Sequence, residues 1–324
     1  MSDFASAAML RVLHAGMRRI GLQSPAQQWL SQATVPLNAK QQLVGLVLQA
    51  RGVSALLQLG QGLHELKRDS LMPMLIRPGQ PLAALQAWLR LERYLHSKHR
   101  IEQTLLSPQA VQHRHISIKA DSSPSAAEDL VVLGVLIALL QSAGCQSVQA
   151  ELENGLQIWP LIESSAQQSA LKATFSSAQT HIWRISWSAL DAQPAHSPPA
   201  PMQIEQEASL VLSERIARLT AQTVGEALPL DQVAQVLGHS TRSLQRKLKL
   251  EGTRYVDIIA SSRAERASKM LSESHPSLAE IGFACGYTDQ AHFCRDFKRR
   301  VGMGPLTFRA HATTIVHSST LRKL

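Results

Sequence analysis

The chain has 324 residues, a length that favours about two domains, and 44% of them are hydrophobic, enough for a substantial core. A formal net charge of +9 permits a polyanionic partner, and three cysteines are too few for a disulfide framework. No apolar run approaches the roughly 18 residues needed to span a bilayer, and the N-terminus lacks the pattern of a signal peptide. We therefore expect a cytoplasmic protein with no membrane association.

The first hundred residues show helical periodicity. Apolar side chains recur at spacings of three and four between Met9 and Ile20, between Leu43 and Leu48, and between Leu85 and Leu95. Three prolines are expected to divide this region into separate helices: Pro73, Pro78 and Pro81.

Strands and helices are both predicted in the next hundred residues. Residues 112–119 alternate like a strand, with His113 and His115 on the face opposite Ile116 and Ile118. A strongly apolar helix is expected from about Ala126 to Gln141, and two more strands over residues 148–152 and 181–187. The fold class predicted for residues 1–190 is therefore α+β.

Histidines in this region allow two interpretations. They could form a metal site if the strand lay beside the preceding helix. No acidic or cysteine companion stands at a fixed spacing from them, however, so we expect a solvated polar face and no metal. The histidines concerned are His96, His99, His113 and His115.

Cys145 follows a Ser-Ala-Gly sequence and could be a nucleophile on a turn. Because no ordered His and Asp partners can be named, a buried thiol at a helix end is the expected alternative, and no catalytic residue is predicted. Three arginines near the apolar helices could bind a carboxylate ligand, with plain solvation as the alternative: Arg77, Arg90 and Arg93.

A proline-rich segment divides the chain at residues 191–204. Clustered prolines stop helices and favour extended linkers, so we place a domain boundary there. Beyond it, residues 205–324 are predicted to be wholly helical, beginning with an amphipathic helix from Glu205 to Thr220. The prolines are Pro194, Pro198, Pro199 and Pro201.

Residues 230–250 have the pattern of a helix-turn-helix. Ala234 supplies the small residue that two closely crossing helices need, and Gly238, four residues later, supplies the turn. Ser240 is positioned to cap the next helix, Thr241–Leu250, which has Leu244 and Leu248 on one face. Its remaining faces carry arginine, glutamine and lysine, the chemistry that reads bases in the major groove.

The same pattern occurs a second time. Gly282 and Gly286 repeat the small residue and the turn, and Thr288 or Asp289 could cap the following helix. One connecting helix, roughly Tyr255 to Leu271, would join the two motifs. The second helix has a buried stripe and an outward face: Phe293 and Phe297 are expected inside, and Gln290, His292, Cys294 and Arg295 outside. The structure predicted for this region is thus an all-α domain with two helix-turn-helix motifs joined by a linker helix.

Residues 282–299 (Gly-Phe-Ala-Cys-Gly-Tyr-Thr-Asp-Gln-Ala-His-Phe-Cys-Arg-Asp-Phe-Lys-Arg) and 301–309 resemble the signature of the AraC/XylS family of transcription regulators. Gly282 and Cys294 replace the usual Ala and Ser with other small residues. The resemblance implies base contacts from both recognition helices, namely Arg242, Gln245 and Arg246 in the first and Gln290, Ala291, His292 and Arg295 in the second. Phosphate contacts are expected from flanking groups: Ser240, Lys247, Lys249, Lys298, Arg299 and Arg300.

The N-terminal part resembles, more loosely, the effector-binding and dimerising domain of the ornithine-utilisation regulator branch, through residues 52–63 and 81–95. The resemblance implies double-stranded DNA and RNA polymerase as partners, and a small-molecule effector and a second copy of the chain as further ones. It implies an activator that is not an enzyme and has no cofactor. The alternatives are an enzyme domain fused to a DNA-binding module, and a dimeric DNA binder with no effector.

Overall fold

The computed structural model describes residues 4–25, 34–66, 72–76, 78–95, 99–118, 123–161, 164–188, 211–222, 228–273 and 276–311. Contacts divide the chain into two compact units, Met1–Ala195 and His196–Leu324. The proline-rich segment predicted as a linker, residues 191–204, lies outside the described residues, as does the start of the predicted helix at Glu205. No helix in the described ranges is long and apolar enough to cross a membrane.

The first unit combines helices with antiparallel strands, which confirms the predicted α+β class. Its helices are α1 (Ala7–Arg19), α2 (Leu37–Arg51), α3 (Ser54–Gly60), a 3₁₀-helix (Gln61–Leu66), α4 (Met72–Leu75), α5 (Pro81–Leu95), α6 (Ala126–Ser142) and α7 (Ser165–Ser176). Its strands are β1 (Phe4–Ser6), β2 (Thr34–Pro36), β3 (His99–Ser107), β4 (Ala110–Ser117), β5 (Gln149–Leu152), β6 (Gln157–Trp159) and β7 (Ile182–Ser186).

Within the described residues, β1 pairs with β2, and the other strands form one antiparallel sheet in the order β3-β4-β7-β5-β6. The predicted strands over residues 112–119, 148–152 and 181–187 correspond to β4, β5 and β7. Strands β1, β2, β3 and β6 and helix α7 were not predicted.

Helix α6 is the centre of the first unit. Ser125 and Glu128 form a capping box at its start, and the chain leaves it through Gly144 at φ +94°. Every residue from Glu128 to Leu140 is buried. A helix that is apolar on all sides has to lie inside the fold, and α6 does.

Glycines allow the helices around α6 to cross at very short range. A Cβ added to Gly134 of α6 would lie 2.2 Å from the carbonyl oxygen of Leu57 in α3, and one added to Gly60 would lie 2.3 Å from that of Val131. A Cβ on Gly62 would lie 2.1 Å from the carbonyl oxygen of Val12 in α1. Since real Cβ atoms do not approach so closely, backbone-to-backbone packing at these crossings requires glycine.

The expected solvated histidine face was wrong. His113 and His115 of β4 are 0% and 4% exposed, while Ile118 is 53% exposed. Nδ1 of His115 lies 2.8 Å from Oδ1 of Asp129 in α6, and Nε2 of His113 lies 3.0 Å from Oε1 of Gln103. The alternation correctly separated two faces, but buried hydrogen-bond partners supplied by other elements decided which face points inward.

His99 is also buried, with its ring in edge-on contact with that of His115 at 5.5 Å between centroids. His96 lies outside the described residues. Within the described ranges, His, Cys, Asp and Glu side chains form no group of three or more that could hold a metal ion.

Among its described residues the second unit contains helices and no strands, with two helix-turn-helix motifs joined by one helix, as predicted. The helices are α8 (Leu212–Gln222), α9 (Leu230–Val236), α10 (Thr241–Leu250), α11 (Tyr255–Glu273), α12 (Leu278–Ala284) and α13 (Gln290–Val301). Residues 305–311 form a further helical stretch.

Helix α11 contributes to two separate hydrophobic clusters. Its N-terminal half provides Ile258 to the cluster of the first motif, which also contains Leu244 and Leu248. Its C-terminal half provides Ala267 and Leu271 to the cluster of the second motif. One continuous helix therefore carries both motifs.

Candidate nucleic-acid interface

The two turns have the same backbone geometry. In the first, Gly238 has φ +69° and the N–H of His239 donates to the carbonyl of Ala234 at 2.8 Å. In the second, Gly286 has φ +76° and the N–H of Tyr287 donates to the carbonyl of Gly282 at 3.0 Å. This is the pattern of a Schellman ending, which needs a left-handed residue and favours glycine.

Each recognition helix starts at a side-chain cap. Ser240 Oγ accepts a hydrogen bond from the N–H of Ser243 at 3.2 Å, as predicted. For α13 the cap is Asp289, whose Oδ1 accepts from the N–H of His292 at 2.7 Å, rather than Thr288. Each cap satisfies an N–H that the first helical turn leaves without an intrahelical partner.

Helix α10 separates a buried stripe from an exposed polar surface. Leu244 and Leu248 are 0% and 1% exposed. Nζ of Lys247 lies 3.3 Å from Nε2 of His239, so this lysine extends toward the turn. All residues predicted here to contact bases or phosphates are exposed: Ser240, Arg242, Gln245, Arg246, Lys247 and Lys249.

The residues of α13 that were predicted to read bases differ in exposure. Ala291 and Arg295 are exposed, whereas Gln290 and His292 are half-buried. The ring of His292 contacts that of Tyr287 edge-on, with centroids 5.3 Å apart. This contact fixes the position of one of the predicted base-reading side chains.

Cys294 of α13, predicted to face outward, is half-buried and packs against the hydrophobic cluster of the second motif. Burial raises the pKa of its thiol. A raised pKa disfavours the reactive thiolate, so the side chain acts as a small packing residue.

The basic residues at the C-terminal end of α13 also differ in their exposure and in their hydrogen-bond partners. Lys298 is exposed, but Arg299 and Arg300 both donate to Asp296, whose side chain is only 6% exposed. Nη1 of Arg300 also lies 3.3 Å from Oγ of Ser261 in α11. Burial on its own would raise the pKa of Asp296, but the hydrogen bond from Arg299 and the charge of Arg300 outweigh it and hold that pKa below its usual value.

Sequence reasoning missed this role of Asp296, which also accepts a hydrogen bond from the hydroxyl of Tyr287 at 3.2 Å. Its spacing of three and four residues from Arg299 and Arg300 was the available signal, because such residues are neighbours on a helix surface. A second acidic residue, Glu251, caps α8 by accepting from the N–H groups of Leu212 and Ser213, each at 2.9 Å.

Cys145 is buried, as expected, and burial raises the pKa of its thiol to about 12. At neutral pH it is protonated and unsuited to nucleophilic attack. Of the three arginines considered for carboxylate binding, Arg90 is half-buried, and Arg77 and the side chain of Arg93 lie outside the described residues.

Comparison with known proteins relates the second unit to a family. Residues 233–311 match the family model of a helix-turn-helix domain. The urease operon transcriptional activator of Escherichia coli is 32% identical over 97 residues, which are 30% of this chain and 33% of that protein. The ornithine utilization regulator of Pseudomonas aeruginosa is 33% identical over 98 residues, 30% of this chain and 29% of that protein.

A transcriptional regulator from Chromobacterium violaceum, whose crystal structure is described under AraC-type DNA-binding domain-containing proteins, is 28% identical to this chain. The match covers 31% of this chain and 89% of that chain, with a TM-score of 0.30. The match spans about a third of the length of these curated relatives and lies in the C-terminal region of this chain. The resemblance of residues 52–63 and 81–95 to the ornithine-utilisation branch therefore stays a prediction.

Proposed function

We propose that this chain, whose C-terminal domain belongs to the AraC/XylS family of helix-turn-helix transcription regulators, binds double-stranded DNA at specific sequences and regulates transcription there. The observation that carries the proposal is the pair of equivalent turns at Gly238 and Gly286, each followed by a capped helix with a polar outer surface. Two recognition helices in one domain would enter successive major-groove segments about 34 Å apart on one side of the DNA.

The chemistry of the side chains on the outer surfaces of the recognition helices supports separate roles in base reading and in phosphate binding. Arginine forms bidentate hydrogen bonds with guanine and glutamine does so with adenine. We assign base reading to Arg242, Gln245 and Arg246 in α10 and to Gln290, Ala291, His292 and Arg295 in α13.

Phosphate contacts are assigned to the exposed lysines Lys247, Lys249 and Lys298 and to the hydroxyl of Ser240. Arg299 is mostly exposed and can reach a phosphate while it stays near Asp296. Arg300, with a side chain 22% exposed and hydrogen bonds to Asp296 and Ser261, is assigned instead to holding α13 against α11.

We propose that residues 1–190 bind a small effector or a second copy of the chain, and that the DNA-bound protein recruits RNA polymerase in the cytoplasm as an activator. The name of one relative, the urease operon transcriptional activator, supports the activating direction.

Selection of bound sequences from a random duplex pool, with the full chain, tests the proposal. We expect enrichment of a site with two short conserved blocks about one helical turn apart. A repeat of that site with two-fold symmetry would indicate a dimer. A pool that shows no enrichment, in salt that still permits non-specific binding, would contradict sequence-specific recognition.

A further inference from the structure

Two open cavities of the first unit meet at the side chains of His64 and Gln141. The larger, about 1160 Å³, is bounded by side chains that include Arg19, Gln58 and Trp159. The smaller, about 480 Å³, has apolar walls from Leu63, Met72, Ile76 and Pro78. Volumes of this order are typical of small-molecule pockets.

Hydrogen bonds fix the boundary between the two cavities. Nε2 of Gln61, which is 3% exposed, donates to the carbonyl of Gly134 at 2.7 Å, so its Oε1 is left to accept from Nε2–H of His64 at 3.1 Å. Oε1 of Gln141 lies 3.2 Å from the same nitrogen, and Oγ of Ser142 lies 3.2 Å from Nδ1 of His64. Because its oxygen is committed to His64, Gln141 retains its NH₂ group as a donor for a ligand.

The charged side chains that line the larger cavity are paired with each other, which favours an uncharged ligand. Among the described residues that line it, the one cation, Arg19, lies 3.4 Å from the one anion, Glu65. A charged ligand head would attract one member of this pair and repel the other. The carboxamide of Gln58 carries a donor and an acceptor and that of Gln141 retains its donor, and a ligand amide carries the complementary groups.

We infer that a small uncharged amphiphile binds across these two adjoining cavities, with an amide head against Gln58 and Gln141 and an aliphatic tail among Leu63, Met72 and Ile76. Desolvating the tail supplies affinity, and the amide hydrogen bonds orient the head. The inference concerns binding by the first unit. Only its consequence for DNA, that the bound amphiphile changes regulation, rests on the proposed function.

Isothermal titration calorimetry of the full chain, without DNA, tests the inference. It uses three probes that have the same aliphatic tail and different heads. Hexanamide is neutral, whereas hexanoate and pentylamine, which have the same pentyl tail, carry opposite charges at pH 7. We expect hexanamide to bind about tenfold tighter than either charged probe, because a charged head in this cavity would be desolvated without a full partner. Acetamide should bind at least about tenfold more weakly than hexanamide, since it lacks most of the tail.

Two variants locate the head and the tail. Gln141→Leu should weaken hexanamide about fivefold to tenfold by removing an amide partner, and Gln42→Leu, at an exposed position of α2, should not. Ile76→Ala should weaken hexanamide and leave acetamide unchanged. The inference is overturned if a charged probe binds as tightly as hexanamide, if hexanamide gives no saturable binding, or if Gln141→Leu binds as wild type. DNA selection with no probe present tests the proposed function separately.

Discussion

Nε of Arg300 lies 3.2 Å from both carboxylate oxygens of Asp296, one helical turn earlier in the second recognition helix. The Asp296 side chain is 6% exposed, and Arg300 reaches Ser261 of the linking helix as well. The three residues join α13 to α11. A residue that the local charge pattern assigned to DNA phosphate is thus held by contacts within the domain.

Arg300→Ala should destabilise α13, because a buried carboxylate loses one of its charged partners. The expected loss is about 1–3 kcal/mol in the free energy of local opening. Native-state hydrogen exchange of the backbone amides in residues 290–301 measures it. Lys298→Ala, two residues earlier and exposed, serves as the control and should change protection by less than about 0.5 kcal/mol. Equal losses in both variants would contradict the structural role of Arg300.

Gly134→Ala should destabilise the first unit by at least about 1–3 kcal/mol, since its Cβ would lie 2.2 Å from the carbonyl oxygen of Leu57 and helices α3 and α6 would have to separate. The matched change Gly45→Ala, in α2, meets no atom within 4 Å. It should be neutral or stabilising by up to about 1 kcal/mol through helix propensity. Urea unfolding followed by circular dichroism gives both values, and a neutral Gly134→Ala would exclude the close crossing.

Asp289→Ala should remove the cap of α13 and cost about 1 kcal/mol. The neighbouring Thr288→Ala should be close to neutral, because Thr288 is exposed and Asp289 holds the cap bond to His292. Hydrogen exchange at the first amides of α13 distinguishes the two. Greater loss from the threonine change would reassign the cap.

Glu92 makes the stability of the first unit depend on pH. Burial raises the pKa of this carboxyl from 4.5 to about 7, against the opposing effects of His115 and of the Ile101 N–H, which donates to it. The folded chain therefore binds a proton more tightly than the unfolded chain, and this contribution to stability is complete below pH 4.5 and lost as the pH rises through 7.

Glu92→Gln should flatten the pH dependence of unfolding between pH 4.5 and 7. The slope that disappears should approach about 1.4 kcal/mol per pH unit. Glu102→Gln, at an exposed position of β3, should retain the wild-type slope. A slope in Glu92→Gln as steep as in the wild-type chain would show that this carboxyl does not titrate as described.

The helix-turn-helix motifs could be predicted from sequence because their determinants are local. A small residue, a turn glycine four residues later and a capping side chain all lie within one short stretch of the chain, as Ala234, Gly238 and Ser240 do. The role of Arg300 was missed because one partner of its side chain, Ser261, lies 39 residues away in sequence.

The first unit was harder to predict, because its determinants are distant in sequence. Alternation at His113 and His115 indicated a strand, but the burial of these histidines depends on partners in other elements, such as Asp129 for His115. Strand β3 has adjacent exposed leucines, Leu105 and Leu106, and lacks clean alternation. As an edge strand it is defined mainly by its pairing with β4.

The most direct test compares Arg246→Ala with Lys298→Ala on the selected DNA site and on single-base variants of it. If α10 reads bases, Arg246→Ala should lose discrimination of about 1–3 kcal/mol at one position and leave the others unchanged. Lys298→Ala should weaken binding to all sequences alike and reduce the salt slope by about one. Uniform weakening by both variants, with base preferences intact, would contradict direct readout by these helices.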